Sequence, residues 1–353
     1  MIERDVLEKL VSAGTFAPSI DNCQPWFFRL GSDFIHIILD EVRSDFFGDY
    51  GHAGSYVTIG AVIENIMTAA GHYGLVPAVS YFPSEKDSPV AVIKLKAGQP
   101  ASSPLYPFIR ERCTNRKPYS RKPLPENVMK RLVKTPRPQG AVLHLIDDRP
   151  VMKEISRLAA AVDRTSFEHK LLHQGLFKWI RWNAAEAAGG DGMPVGTLEL
   201  NIMNRAAFRA MSSWPVMNLL NKFALSYAVG KVNSQLLLKA SAIGFIVMDT
   251  SRPVDFLEGG RFFERVWLES ASLGLSLQPF GGMSFLLTRL LQARESGYSD
   301  TQKKRLFSVY DGLRRIFPLD GKNGLIMLFR VGYGGKPSTR TSRRPLADVL
   351  QQG

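Results

Sequence analysis

Only two cysteines, Cys23 and Cys113, occur in 353 residues. That is too few for a disulfide scaffold in a chain of this size, so a reducing compartment with both thiols free is expected. Long apolar runs are also missing: no charge-free stretch reaches the roughly 18–20 residues that a membrane span needs. The opening Met1-Ile2-Glu3-Arg4-Asp5 is charged, with no apolar stretch and small-residue cleavage site behind it. Secretion is therefore not expected, and a cytoplasmic protein is. No Ser-His-Asp signature or nucleophile elbow appears. Gly281-Gly282 lacks the G-x-G-x-x-G spacing of a phosphate loop. Glu168-His169-x-x-x-His173 puts two imidazoles on one helical face, but no third ligand is near and the glutamate is misplaced for a metalloprotease. No metal site is expected there.

What is present is an ordinary globular composition, 45% hydrophobic and 22% charged, in a chain long enough for two packed units. The net charge of +13 points to anionic partners: nucleic acid, anionic lipid or phosphorylated small molecules. Two basic clusters stand out, Arg110 to Lys122 and Lys336 to Arg344. Each alone reads as solvated surface; together they could form one phosphate pocket.

An internal repeat organises the chain. Ile59 to Leu75 aligns without a gap on Gly259 to Leu275, so that Glu64 meets Glu264, Gly60 meets Gly260, and Gly74-Leu75 meets Gly274-Leu275. Apolar residues recur at helical spacing in both, and each helix ends at a glycine suited to a left-handed cap. Short β-rich runs follow, Val90 to Leu95 and Leu325 to Val331. Upstream, Phe34 to Leu39 and Val142 to Ile146 are candidate strands of similar character, each with one histidine (His36, His144). An ancient duplication accounts for this order. The copies differ by a helical insertion at about 149–239, rich in aromatics and methionines, which reads as either an extra helical layer or a lid over a ligand site.

Two segments carry chemistry. Ala17-Pro18-Ser19-Ile20-Asp21-Asn22-Cys23-Gln24-Pro25-Trp26 follows an amphipathic helix (Ile2 to Gly14) and precedes a strand. Its two prolines stiffen a loop that presents Ser19, Asn22 and Gln24. Arg112-Cys113-Thr114-Asn115-Arg116 places two guanidinium forks about a hydroxyl at alternating positions, a donor set that matches phosphate oxygens.

With these motifs the chain resembles the FMN-dependent nitroreductase superfamily. There an R-x-S/T-x-R/K segment binds the FMN phosphate, and an A-P-S-x-x-N-x-Q-P-W loop from the partner subunit lies over the flavin. Arg112, Thr114 and Arg116 match the first, with Cys113 between them. Pro18, Ser19, Asn22, Gln24, Pro25 and Trp26 match the second, with Ile20 where a second serine is common. Gln278-Pro279-Phe280-Gly281-Gly282 resembles the strand-end segment whose backbone approaches flavin N5. Arg343-Arg344-Pro345-Leu346 resembles the terminal R-x-P-L element that closes on the phosphate.

The resemblance implies an α+β nitroreductase-like fold of two tandem units forming an intrachain pseudo-dimer. Mostly antiparallel central sheets would be flanked by helices, with a helical lid insertion. Residues 1–103 would supply the flavin-covering loop and residues 104–353 the phosphate site. The phosphate motif occurs only in the second copy. The covering loop is intact only in the first; its counterpart, Thr135-Pro136-Arg137-Pro138-Gln139-Gly140, lacks the asparagine and tryptophan. One FMN site per chain follows, as in the fused branch of the family, which includes actinobacterial dormancy-associated proteins with a lid over a tightly held FMN.

The function so implied is hydride transfer from NAD(P)H through FMN to a small oxidised acceptor such as a nitroaromatic or quinone. The alternative is an FMN-sequestering protein with little turnover. In either case the flavin carries the chemistry. The backbones of Gly281 and Gly282 would lie near N5, and no side chain acts as nucleophile or general acid. Pro18, Ser19, Ile20, Asn22, Gln24, Arg112, Cys113, Thr114, Arg116, Pro279, Phe280, Arg343 and Arg344 would complete the cofactor site. Nucleic acid is not an expected partner, since neither basic cluster interleaves aromatics, and neither is a membrane, since no apolar run is long enough to span one. A monomer or a homodimer of pseudo-dimers is expected.

Overall fold

A computed structural model describes residues 2–84 and 88–351. The chain opens with helix α1 (Arg4–Thr15), strands β1 (Trp26–Leu30) and β2 (Phe34–Leu39), and the single turn α2 (Glu41–Ser44). The long helix α3 (Ala53–Ala70) and strands β3 (Leu75–Tyr81) and β4 (Ala91–Ala97) follow. A linking stretch carries α4 (Phe108–Glu111) and β5 (Tyr119–Ser120), then come α5 (Glu126–Val133) and β6 (Ala141–Ile146). Next is a mainly helical stretch: α6 (Arg149–Glu168), α7 (Lys170–Lys178), β7 (Ile180–Arg181), α8 (Ala184–Ala187), β8 (Met193–Pro194), α9 (Ile202–Met211), α10 (Trp214–Asn221) and α11 (Leu225–Leu238). The chain then forms β9 (Ala242–Met248), α12 (Pro253–Ser272), β10 (Ser276–Pro279), α13 (Gly281–Gln292), α14 (Asp300–Ile316), β11 (Gly324–Gly334) and α15 (Leu346–Val349).

Two antiparallel sheets have the same plan. The first has the order β1-β2-β4-β3 and the second β6-β9-β11-β10, with β5 added at the end of β11. In each, the two early strands pair with one another, and the strand after the long helix lies at the far edge. The chain is thus an α+β protein of two tandem units. The helical stretch enters the second unit between its first and second strands, where the first unit has a three-residue hairpin turn, Gly31 to Asp33. That topology corrects one equivalence expected above. Val142 to Ile146 corresponds to β1, and the counterpart of Phe34 to Leu39 is β9. All seven β9 residues are buried, so the strand shows no alternating pattern in sequence.

The two long helices α3 and α12 cross at the centre. A β-carbon on Gly60 would lie 2.1 Å from the Leu257 carbonyl oxygen, and one on Gly260 would lie 2.1 Å from the Val57 carbonyl oxygen. These are the same contact with the units exchanged, made by the two glycines that align in the repeat. Almost every α3 residue is buried, as expected of a helix that is apolar all round. Gly74 (φ +68°) and Gly274 (φ +70°) end the two repeats in the left-handed conformation that glycine adopts without strain. Apolar residues of α1, α3 and the first sheet form one core. The second sheet has cores on both faces, one against α12 and one against α6, α13 and α14.

In an open helix Gly→Ala gains up to about 1 kcal/mol of propensity. At this crossing the clash with backbone wins, since neither carbonyl can move without separating the helices. Gly260→Ala is therefore expected to lower the unfolding free energy, read by urea denaturation, by about 1–3 kcal/mol. Gly189→Ala, with open space around it, is expected to stay within about 0.5 kcal/mol of the parent. A Gly260→Ala protein as stable as the parent contradicts the crossing.

Candidate functional site

A cavity of about 800 Å³ lies between the two units and the helical stretch. One wall comes from the end of α1 and the loop after it: Phe16, Pro18, Ser19, Ile20, Asp21 and Asn22. Gly54, Val57 and Thr58 of α3 and Phe263 of α12 continue it. Gln278, Pro279, Phe280, Gly281 and Gly282 face these residues. Apolar side chains of the helical stretch close the remainder, among them Phe167, Leu172, Phe208, Met211, Leu225 and Leu236.

The loop after α1 is held in an unusual shape. Asp21, Asn22 and Gln24 all have positive φ (48°, 58° and 52°), which costs about 1 kcal/mol or more each without compensation. Compensation comes from side-chain bonds. Ser19 Oγ accepts from the Gln24 N–H at 3.0 Å. Asn22 Nδ2 donates to the Gly192 carbonyl at 2.9 Å and the Ser342 carbonyl at 3.2 Å. Gln24 Nε2 donates to the Gly190 carbonyl at 2.9 Å, and its Oε1 accepts the Arg344 N–H at 3.0 Å. Gln24 is fully buried and, like Arg344, stands outside the cavity wall. The Gly190 to Gly192 turn that receives these bonds is in the helical stretch, where the sequence carried no motif to mark it. Gly190 (φ +77°) has no room for a side chain, because its β-carbon would lie 2.1 Å from the Arg343 carbonyl oxygen.

Both basic clusters reach this one cavity. Arg110, Arg112, Arg116, Arg340 and Arg343 line it with Thr114, Thr339 and Thr341, against two carboxylates, Asp21 and Asp163. Arg110, Arg340 and Asp21 were not singled out from sequence, because solvated surface explains such residues equally well. The guanidinium groups are committed to different degrees. Arg343 Nε donates to the Thr15 carbonyl at 2.7 Å, Nη2 to that of Phe16 at 3.0 Å, and Nη1 to Asn22 Oδ1 at 3.2 Å. It satisfies the free carbonyl end of α1 and locks the loop. Burial, with Arg112 close by, pushes its pKa down to about 9. Arg112 is buried over the Trp267 ring at 4.4 Å, with Nε 2.9 Å from Glu264 Oε1. Arg116 is different. Its hydrogen bonds among the described residues reach only the Thr197 carbonyl at 3.4 Å and the Met193 sulfur at 3.2 Å.

The carboxylates respond to this setting. Burial pushes Glu264 up to about 7, although Arg112 draws it down. Asn65, with its amide turned to donate, lies 3.1 Å from Glu264 Oε1 and accepts the Ala17 N–H at 3.2 Å. Desolvation at the cavity wall pushes Asp21 up to about 6, with the charge of Arg116 opposing. Cys113 lines the cavity half-buried, whereas Cys23 lies buried outside it and burial raises its pKa strongly. Thr114 is tied by a backbone bridge to Leu277 in β10, which fixes the Arg112–Arg116 segment against the strand leading to Gly281. Gly281 and Gly282 open α13, so their N–H groups have no intrahelical acceptor. His169 and His173 each have Nε2 against a backbone carbonyl, of Gly297 and Met211 respectively.

The equivalent position in the other half is filled. Glu64, the repeat partner of Glu264, takes Arg265 Nε at 2.7 Å and Arg261 Nε at 3.3 Å, both from α12. Arg261 Nη1 also donates to the Tyr81 hydroxyl at 2.8 Å, which in turn bonds Glu258. Tyr81 ends β3, the strand equivalent to the one that leads into Gly281.

No family model matches the chain. In sequence it is similar to an uncharacterized protein of Mycobacterium tuberculosis (strain CDC 1551 / Oshkosh), MT1398, with 26% identity over 344 residues. That match takes in 96% of this chain and 47% of the relative, so the chain spans about half the length of the curated protein it matches. Among solved structures it is similar to a nitroreductase-like family protein from Bacillus cereus (11% identity, 71% of this chain and 97% of that one, TM-score 0.38). It is similar also to a BluB-like flavoprotein from Clostridium difficile (12% identity, 71% and 99%, TM-score 0.39). A third is a nitroreductase with bound FMN from Bacteroides fragilis (10% identity, 71% and 100%, TM-score 0.37).

Removing Arg112 strands Glu264 without its buried cation. Arg112→Ala is expected to lose about 3–5 kcal/mol by urea unfolding, and adding Glu264→Gln to recover a large part of it. Additive losses in the double variant contradict the pairing.

Proposed function

We propose that this chain is an FMN-dependent oxidoreductase of nitroreductase type, and that the cavity between its halves holds one FMN. The observation that carries the reading is the convergence of five arginines and three threonines, from two distant basic clusters, on one cavity whose lining is otherwise mostly apolar. A dianionic phosphate on a flat aromatic ligand suits that division of charge. Arg116 is the guanidinium best able to take phosphate oxygens, because its present acceptors are a sulfur and a long carbonyl contact. Thr114 offers a shorter donor beside it, and Arg112 adds charge while remaining on Glu264. Arg343, Asn22 and Gln24 act by holding the loop rather than by donating to the ligand.

Bound FMN supplies hydride acceptance from NAD(P)H and delivery to a small oxidised acceptor such as a nitroaromatic or quinone. The chain's part is binding and polarity. The N–H groups of Gly281 and Gly282 would offer oriented dipoles to the bound group, and Phe280, Phe285 and Phe208 would help exclude water from it. Residues 1–103 and 104–353 are the two halves in this reading, with the lid at about 149–239. A single chain in the cytoplasm holds a whole site, with a homodimer of such chains the other assembly that fits. The second position needs no ligand, since the Tyr81, Arg261 and Arg265 network satisfies Glu64 there.

A storage role is the second reading, favoured by the helices α9 and α11, whose residues close one side of the cavity. Anaerobic mixing of flavin-loaded protein with NADH and with NADPH separates the two: the reductase loses its visible flavin absorbance, and persistent absorbance sinks that reading. Arg116→Ala is expected to weaken FMN by about 1.5–3 kcal/mol, read by flavin release on dilution. Undiminished FMN retention by that variant removes the phosphate assignment.

Asp21 gives a pH signature. Neutral below about 6 and ionised above, it competes with phosphate for Arg116 only at the higher pH. The affinity gain from Asp21→Asn is therefore expected to be negligible near pH 5 and roughly three- to tenfold near pH 8. A gain that does not change with pH contradicts the Asp21–Arg116 competition.

A further inference from the structure

The helices α9 to α11, of which α9 and α11 line the cavity, have a second, outward face. Ile202 is 86% exposed and Phe223 77%, and Met203, Leu219, Tyr227 and Val232 are each more than half exposed. Single exposed apolar residues are ordinary, but these fall on three consecutive helices that pack on one another, α9 to α11. No residue of α9 is fully buried, although its Phe208 and Met211 reach the cavity. On α11, Ser226, Gly230 and Ser234 pack toward α6, where the Ser156 hydroxyl donates to the Ser234 carbonyl at 2.7 Å. Ala228 and Val232 line the cavity while remaining exposed, and Tyr227 and Lys231 are exposed without lining it.

The charge on this face has one sign. From Leu200 to Met248 the chain contains no Asp or Glu. Over the same stretch Arg205, Arg209, Lys222 and Lys231 are all exposed. Apolar side chains beside cations, on helices lacking a partner on one side, are the signature of a segment that lies in a membrane interface. No helix among the described residues is long and apolar enough to cross a membrane. This face lies outside both basic clusters, Arg110 to Lys122 and Lys336 to Arg344.

We propose that the outer face of α9–α11 docks on the surface of an anionic lipid bilayer. Arg205, Arg209, Lys222 and Lys231 would meet lipid phosphates, and Ile202, Met203, Phe223 and Tyr227 would enter the acyl boundary. A second copy of the chain is a poorer occupant, because a two-fold contact sets this cationic face against itself. Nucleic acid is poorer too, since aliphatic Ile202, Met203, Leu219 and Val232 offer no stacking plane for bases. Val232 is exposed and also lines the cavity, so the cavity rim lies at this face. The proposal does not depend on which cofactor the cavity holds.

Flotation of the full chain with vesicles tests it. Phosphatidylcholine vesicles containing about a third phosphatidylglycerol are expected to carry at least roughly tenfold more protein than phosphatidylcholine alone, with the excess falling as salt rises. The double variant Ile202→Ser/Phe223→Ser is expected to lose roughly tenfold in binding while keeping the parent's unfolding midpoint. Should that variant misfold, Lys222→Gln/Lys231→Gln reads the same face through charge alone. Three results overturn the proposal: no flotation of the parent chain, flotation unaffected by both variants, or self-association in the absence of lipid that the serine variant abolishes. Duplex DNA bound more tightly than anionic vesicles overturns it as well.

Discussion

The close crossing of α3 and α12 at Gly60 and Gly260 is the constraint from which the rest follows. With both β-carbons absent, each helix backbone rests on a carbonyl of the other, and the helix pair contributes apolar residues to the cores of both sheets. The crossing also fixes what lies beside it. One turn further along, Glu64 and Glu264 occupy equivalent places, each facing the other unit. Asn65 stands against Glu264 as Arg265 stands against Glu64.

From that symmetric start the two positions diverge through the source of the neutralising cation. At Glu64 it comes from α12 itself, in Arg261 and Arg265, and Tyr81 completes the network. At Glu264 it comes from a distant loop, in Arg112, and the space beyond stays open. Keeping five guanidinium groups about one cavity is unfavourable by mutual repulsion. The fold offsets this with fixed acceptors: the last carbonyls of α1 for Arg343, Glu264 for Arg112, and the Glu111 carbonyl for Arg340. Of the four hydrogen-bonded groups Arg116 is left with the weakest acceptors, which makes it the natural point of attachment for an anion, while Arg110 stacks on the Phe16 ring.

Much of this was legible in the sequence because it depends on local signals. The gapless repeat placed Gly60 on Gly260 and Glu64 on Glu264, and the glycines ending each repeat do adopt matching left-handed conformations. The motifs around Pro18, Arg112, Pro279 and Arg343 do converge on one cavity. The missed features depend on contacts between distant segments. Gln24 reads as a polar side chain offered to a ligand, yet the Gly190 carbonyl and the Arg344 N–H bury it in the frame. Arg344 follows it out of the cavity wall. Strand β9 escaped notice because burial on both faces erases alternation. Gly190 and Gly192 gave no signal, because their role is to let distant groups approach, the Arg343 carbonyl at Gly190 and the Trp179 carbonyl at Gly192. Asp21 matters because it lines the same cavity as Arg116 and feels its charge.

The central claim is that an ancestral pair of equivalent positions has become one open site and one closed one. Calorimetric titration of flavin-free chain with FMN measures this directly. The account predicts saturation at one FMN per chain. Two per chain, or no FMN bound by a chain that remains folded, contradicts it.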